Sequence, residues 1–218
     1  MRIVAVSDTH LFHDELVMPP GDIFVHAGDM CRAGDLDELA RASSWIRGLP
    51  YRHKVIVAGN HDWAFADSPG EARALLGEDV VYLQDSEATV AGLRFWGSPW
   101  QPAYNDWAFN LPRGAALASK WAAIPEGLDV LITHGPPAGF GDRSSVGGRG
   151  GCVDLRERVL AVRPRLHLFG HIHDDGGLWR EGDTCFANVT TWECEREATV
   201  LQLDARGVTE VSIPPARR

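Results

Sequence analysis

Three observations predict an α/β protein. Short apolar runs rich in Val, Ile and Leu recur along the 218 residues, segments of helical period lie between them, and Gly and Asp mark the junctions. Residues 3–6, 23–26, 54–58, 129–133 and 166–169 each read as a buried strand, apolar at successive positions rather than alternate ones. Between them Leu36, Leu39 and Ala40, then Trp45 and Ile46, follow a period of about 3.6, and helices are expected also over 71–77, 114–123 and 153–163. Segments 80–97 and 176–213 read as shorter strands joined by Gly and Asp turns, and predict a second, partly antiparallel sheet near the end. Residues 214–218 read as a frayed tail.

Composition bounds the rest. With 44% hydrophobic and 23% charged residues the chain is expected to fold as one domain, 1–218, burying roughly 70% of its unfolded surface. A chain of that size needs no metal to fold, so any metal serves chemistry. Net charge is −9, from 21 Lys and Arg against 30 Asp and Glu, without a basic cluster, which disfavours a long nucleic acid but not a small phosphate substrate. The apolar run at 3–6 is too short for a signal peptide or a membrane span, so a cytoplasmic protein is expected. Cys31, Cys152, Cys185 and Cys194 form no C-x-x-C pair and read as small core residues.

Metal-binding residue types cluster just after the apolar runs, where the carboxyl ends of strands build the site of an open α/β sheet. These are Asp8 and His10, Asp29, Asn60-His61-Asp62, His134, and His171 with His173. The two-residue spacing in Asp8/His10 and His171/His173 lets both side chains of an extended segment face the same way. Carboxylate, imidazole and amide oxygen make a mixed N/O set suited to manganese, iron or zinc. Seven ligands exceed one tetrahedral ion and fit two ions sharing a carboxylate, the arrangement that clamps attacking and leaving oxygens in phosphoryl transfer.

The ordered set D-x-H, G-D, G-N-H-D, H and G-H-x-H resembles the calcineurin-like binuclear metallophosphoesterase superfamily. The chain is most similar to its metallophosphoesterase-domain-containing (MPPED), class III cyclic nucleotide phosphodiesterase branch. The similarity runs through Val25-His26-Ala27-Gly28-Asp29, Tyr82-Leu83-Gln84-Asp85-Ser86, Phe109-Asn110-Leu111-Pro112-Arg113-Gly114, Thr133-His134-Gly135-Pro136-Pro137 and Arg163-Pro164-Arg165-Leu166-His167. The resemblance implies a four-layer αββα sandwich and two divalent ions, expected to be manganese with iron or zinc as alternatives. One ion would take Asp8, His10, Asp29 and His173, the other Asp29, Asn60, His134 and His171, with Asp29 bridging. It further implies attack by a metal-bridging hydroxide, His61 as proton donor to the leaving oxygen, and Asp62 orienting His61. Relatives often carry Glu where Asp62 stands, and some carry Gly in place of His171; the histidine here predicts a competent pair.

The expected reaction is hydrolysis of a small nucleotide-like phosphodiester such as a cyclic nucleotide. The alternatives are a phosphomonoesterase or serine/threonine protein phosphatase, a silent scaffold of the same fold, and, least in keeping with the charge, a nuclease. A homodimer is compatible with the sequence. Arg32 and Arg143 are candidates to grip phosphate, since guanidinium pairs its donors against phosphate oxygens. Trp100, Tyr104 and Trp107 are candidates to stack on a base, within a stretch that holds six of the nineteen aromatics. Seven glycines between His134 and Gly151 mark 135–151 as either a lid or a surface insertion. His26 and His167, inside apolar runs, read as core; His13 and His53 read as surface residues, with the pocket mouth a second reading for His13.

Overall fold

The computed structural model describes residues 1–205 and 207–214. Two six-stranded sheets stack face to face between two helical layers, the four-layer α/β/β/α arrangement expected. The first sheet contains β1 (Arg2–Val6), β2 (Ile23–His26), β3 (His53–Ile56) and β4 (Val80–Tyr82), all parallel, with α1 (Leu36–Gly48), α2 (Ala64–Asp67) and α3 (Pro69–Leu76) on its outer face. The second contains β5 (Ser86–Val90), β6 (Leu93–Ser98), β9 (Val130–Thr133), β10 (Leu166–Phe169), β11 (Gly177–Glu181) and β12 (Thr184–Asn188). Its outer face carries α4 (Ala115–Trp121) and α5 (Val153–Val162). A two-stranded ribbon, β7 (Gln101–Pro102) and β8 (Asn110–Leu111), stands apart. The chain then returns to the first sheet, where β13 (Thr199–Asp204) and β14 (Gly207–Ser212) extend it antiparallel beside β1.

That return corrects the expected second sheet. The second sheet starts with β5 and β6, and segment 176–213 is divided, β11 and β12 joining one sheet and β13 and β14 the other. Alternation in a strand shows that one face is buried but not against which partner. α2 escaped prediction because four residues show no helical period. The expected tail falls outside the described residues except for Pro214, whose carbonyl accepts from Arg196 Nη2.

Strand parity divides the core. In β1, Ile3 and Ala5 face the inter-sheet layer and Val4 and Val6 face the helices; in β10, Leu166 and Leu168 face inward and Phe169 faces α5. α1 buries Leu39, Ala42 and Ile46, and starts at Asp35, whose side chain accepts from the Glu38 amide at 2.8 Å. Cys31, Cys152 and Cys185 are buried and Cys194 is half-buried, all free thiols. Among the described residues no helix is long and apolar enough to cross a membrane. His13 is not at the surface: a single 3-10 turn, His13–Glu15, folds it back so that its ring stacks on Trp45 at 4.6 Å.

The two core histidines occupy matching places. His26 in β2 receives the Gly28 amide on Nδ1, so Nε2 carries the proton and donates to Thr9 Oγ1 at 3.0 Å. In β10, His167 Nε2 meets Thr133 Oγ1 at 2.8 Å. That hydroxyl has already given its hydrogen to the Gly135 carbonyl, so the imidazole is the donor. Each histidine is neutral, and each fixes a threonine next to a candidate ligand.

Two predictions follow from this packing. A Cβ on Gly97 would lie 2.6 Å from Leu83 Cβ and 2.7 Å from Val57 Cγ1, where the sheets approach each other. Alanine normally favours a strand over glycine, yet Gly97→Ala should destabilise by about 1–3 kcal/mol through overpacking, read as a lower urea midpoint. Burial lowers the His167 imidazole to about 3 from an ordinary 6.5. Its contribution to stability is therefore complete above pH 6.5 and is lost as pH falls towards 3, at about 1.4 kcal/mol per unit, because only the unfolded chain takes up the proton. His167→Gln, which keeps an N–H donor, should flatten that acid limb in denaturant titrations across the interval.

Candidate metal centre

The parallel strands of both sheets end at one edge, and their exit loops meet there. β1 delivers Asp8 and His10, β2 Asp29 and β3 Asn60, His61 and Asp62; β9 delivers His134, and β10 His171 and His173. All seven predicted ligands converge. Asp8, His10, Asp29 and His173 form one group and Asp29, His134 and His171 a second, each with its donor atoms within 4.8 Å of one another. Asn60 Oδ1 joins the second group, 3.0 Å from His134 Nε2. Asp29 is common to both: its Oδ2 lies 3.3 Å from His134 Nε2 and 4.0 Å from His10 Nε2, while its Oδ1 accepts the His61 amide at 2.8 Å.

The imidazoles are aimed from behind. His10 Nδ1 donates to the Cys31 carbonyl and His134 Nδ1 to the Ala27 carbonyl, both at 3.0 Å, which presents each Nε2 to Asp29. Asp8 is held by the His171 amide, at 3.1 and 3.2 Å from its two carboxylate oxygens. Asp8, Asp29 and His171 adopt left-handed backbone, an unusual conformation for non-glycine residues that clusters at functional sites. The motif glycines make room: a Cβ on Gly28 would sit 2.4 Å from His134 Nδ1, and one on Gly59 2.2 Å from Asp29 Oδ1.

The donor set fits a pair of divalent ions. Two carboxylates, four imidazoles and an amide oxygen, with no thiolate, match a borderline cation such as manganese, iron or zinc. Within the second group the rings differ: burial alone would suppress charge on His134, yet the Asp29 carboxylate raises its pKa to about 9, while burial and the His134 charge lower His171 to about 3. Despite its burial Asp29 is held well below the carboxylate range by His134.

His61 has the Trp107 ring on one side, centroids 4.0 Å apart, and the edge of His10 at 4.7 Å. Its Nδ1 bonds the Arg32 carbonyl at 2.6 Å. Asp62 departs from its expected role. Rather than orienting His61, its buried carboxylate accepts the amides of Gly59 and Asp29 on Oδ2, with a longer contact from Met30, and that of Cys31 on Oδ1. A side chain this short points back under its own loop, and the Arg32 carbonyl orients His61 instead.

A cavity of about 530 Å³ opens above Asp29, Asn60, His61, His171 and His173. Tyr104 and Trp107 line it, on a loop fastened by Gln101 and Asn110 side chains that bond the Ala108, Tyr104 and Asn105 carbonyls. Trp100 does not: its Nε1 donates to Asp85, and Lys120 sits 4.3 Å over its ring. Arg32 and Arg143 are exposed and outside the cavity. The Arg32 guanidinium lies over Phe12, and the Arg143 amide donates to Asp175. The glycine-rich segment forms a wall from Ser144 to Gly150, tied to the His173 turn through the Ser145 amide on Asp174.

Arg113, Arg149 and Trp192 also line the cavity and were not anticipated. Arg113 lies in the stretch 109–114 and Arg149 in the glycine-rich segment, so residue type was visible but not direction. Trp192, 4.3 Å from the His173 ring, starts three consecutive left-handed residues, Trp192, Glu193 and Cys194, and nothing in those letters announces it.

Known proteins agree with this geometry. The model of the calcineurin-like phosphoesterase family matches residues 1–175. Human metallophosphoesterase domain-containing protein 1 is 43% identical over 87% of this chain, which spans 65%, slightly under two thirds, of that relative's length. UPF0046 protein C25E10.12 of Caenorhabditis elegans is 35% identical over all of this chain and 83% of its own. Among solved structures, TT1561 of Thermus thermophilus superposes with a TM-score of 0.66 over 97% of this chain and 98% of its own, at 15% identity, a likeness of fold. With the ordered ligand set, the paired sheets and this match, the chain belongs to the calcineurin-like phosphoesterase family.

Proposed function

We propose that this metal-dependent phosphoesterase is a phosphodiesterase whose substrate is a small nucleotide-like diester, a cyclic nucleotide being one example, and that manganese is its working ion. What favours a diester over a monoester is how the cavity's arginines are engaged. Arg113 donates to the Gly150 and Gly151 carbonyls, and Arg149 pairs with Asp142. The dianion of a monoester calls for free guanidinium donors, whereas the single charge of a diester needs fewer. Tyr104 and Trp107 offer flat apolar surface for an aromatic substituent. Free thiols at all four cysteines suit the cytoplasm.

The residues divide the work. Asp8, His10, Asp29 and His173 would hold one ion and Asp29, Asn60, His134 and His171 the other; when bound, the ions supply the charge that polarises the phosphoryl group and activates water. The Arg32 carbonyl can only accept, so His61 Nδ1 carries a hydrogen; when the ring holds a proton on each nitrogen, Nε2 is the one that delivers its proton to the departing oxygen, leaving the neutral Nδ1–H ring. Trp107 covers one side of that imidazole and limits the approach of water.

The test is hydrolysis by metal-stripped protein resupplied with manganese, comparing bis(p-nitrophenyl) phosphate with p-nitrophenyl phosphate. Diester turnover is expected; turnover of the monoester alone would make the protein a phosphatase. Asp29→Ala should abolish both metal binding, measured by calorimetry, and turnover. His61→Ala should retain the metals yet slow a diester with a poor leaving group by about 10²–10⁴-fold.

A further inference from the structure

We propose that Glu38 is a positioning residue for His61, acting through the loop that connects β2 to α1. This rests on the proton-donor role proposed for His61. A glutamate three residues after an N-cap aspartate ordinarily turns back to cap the amide of that aspartate. Glu38 reaches further. Its Oε2 accepts the amides of Arg32, Ala33 and Gly34 at 2.9, 2.7 and 2.8 Å, three consecutive donors on one oxygen. Gathering the amides on one side turns the Arg32 carbonyl towards His61, where it accepts from Nδ1 at 2.6 Å.

The loop is also locked from the other side. The Gly34 carbonyl accepts the Ala64 amide at 2.7 Å, and a Cβ on Gly34 would stand 2.0 Å from the His61 carbonyl oxygen. Segment 32–34 is therefore tied to segment 61–64, with Glu38 as its anchor on α1. The ligands have an anchor of their own: Asp62 holds the amides of Asp29, Cys31 and Gly59, and Glu38 bonds no ligand residue. Two ligands also touch this region, His10 through the Cys31 carbonyl and Asp29 through the His61 amide, which is why metal content is measured beside activity. Loosening the Glu38 anchor should let the imidazole turn while Asp62 keeps the metal groups in place.

The chemistry that reads this out is the leaving group. A diester that expels p-nitrophenolate needs little protonation, whereas methyl phenyl phosphate, which expels an unsubstituted phenolate, needs a well-aimed acid. Glu38→Asp keeps the charge near the α1 N-terminus but is one methylene too short to span the loop. Glu38→Gln keeps the reach and an acceptor oxygen. Metal content and the melting temperature of each holoenzyme are measured alongside.

Glu38→Asp should lower kcat on methyl phenyl phosphate by about ten-fold or more, with KM, metal content and the bis(p-nitrophenyl) phosphate rate held within about three-fold. Glu38→Gln should stay within about three-fold on both substrates. In a His61→Ala background Glu38→Asp should cost nothing further, since both act on one proton. Equal losses on the two substrates, equal losses in the Gln and Asp variants, or additive losses with His61→Ala would each overturn the assignment. If His61→Ala itself shows no leaving-group dependence, the acid role falls and this inference falls with it; if His61→Ala does and Glu38→Asp does not, only the inference fails. Glu38→Ala serves the same test should Glu38→Asp not fold.

Discussion

The carboxylate of Asp62 ties together the exits of two parallel strands. With one side chain it accepts amides from Gly59, after β3, and from Asp29 and Cys31, after β2, so the loops bearing Asn60 and Asp29 are held at a fixed separation. Burial, with the Asp29 carboxylate nearby, raises Asp62 to about 6, a strain the backbone amides partly relieve. Backbone donors hold it more firmly than flexible side chains would, since they are part of the strands' own continuation. Asp29 can therefore spend one oxygen on the His61 amide and still turn the other between His10 and His134.

A matching logic serves both sheets. His26 and His167 stand on the helix-facing side of strands in different sheets, each neutral and each fixing a threonine beside a ligand-bearing loop. Ligand direction is thus set in depth, from core imidazole to threonine to loop, and similarly from backbone carbonyl to the rings of His10 and His134. Such support sets the direction of each donor from outside the ligand set itself.

Much of this was legible in the letters. The ligand set could be read because strand ends are marked by apolar runs and because Asp, Asn and His gathered after five of them have few structural reasons to be there. The four layers followed from the family resemblance. What the letters hid was direction. Arg32 and Trp100 have chemistry suited to a substrate, yet one turns to Phe12 and the other to Asp85. Asp62 could be placed in the motif but not told apart from an orienting partner of His61, because three of the four amides it collects belong to residues some thirty positions earlier. The split of β11 to β14 between two sheets was hidden for a related reason: pairing is decided by distant strands.

The return of β13 to the first sheet bears on how the molecule assembles. β1 lies between β2 and β13, with Ala5 opposite Thr199, and the amino group of Met1 donates to the Leu203 carbonyl at 2.7 Å. During synthesis the first sheet therefore waits, with one side of its earliest strand unmatched, until almost two hundred further residues have emerged, a pairing of high contact order and slow closure. The ligands appear on the same schedule. Asp8, His10, Asp29 and Asn60 leave the ribosome as an oxygen-rich half-site, and His134, His171 and His173 follow much later. Neither donor group is complete until His171 and His173 have emerged, so the whole set comes together only as the second sheet docks and the first is closed.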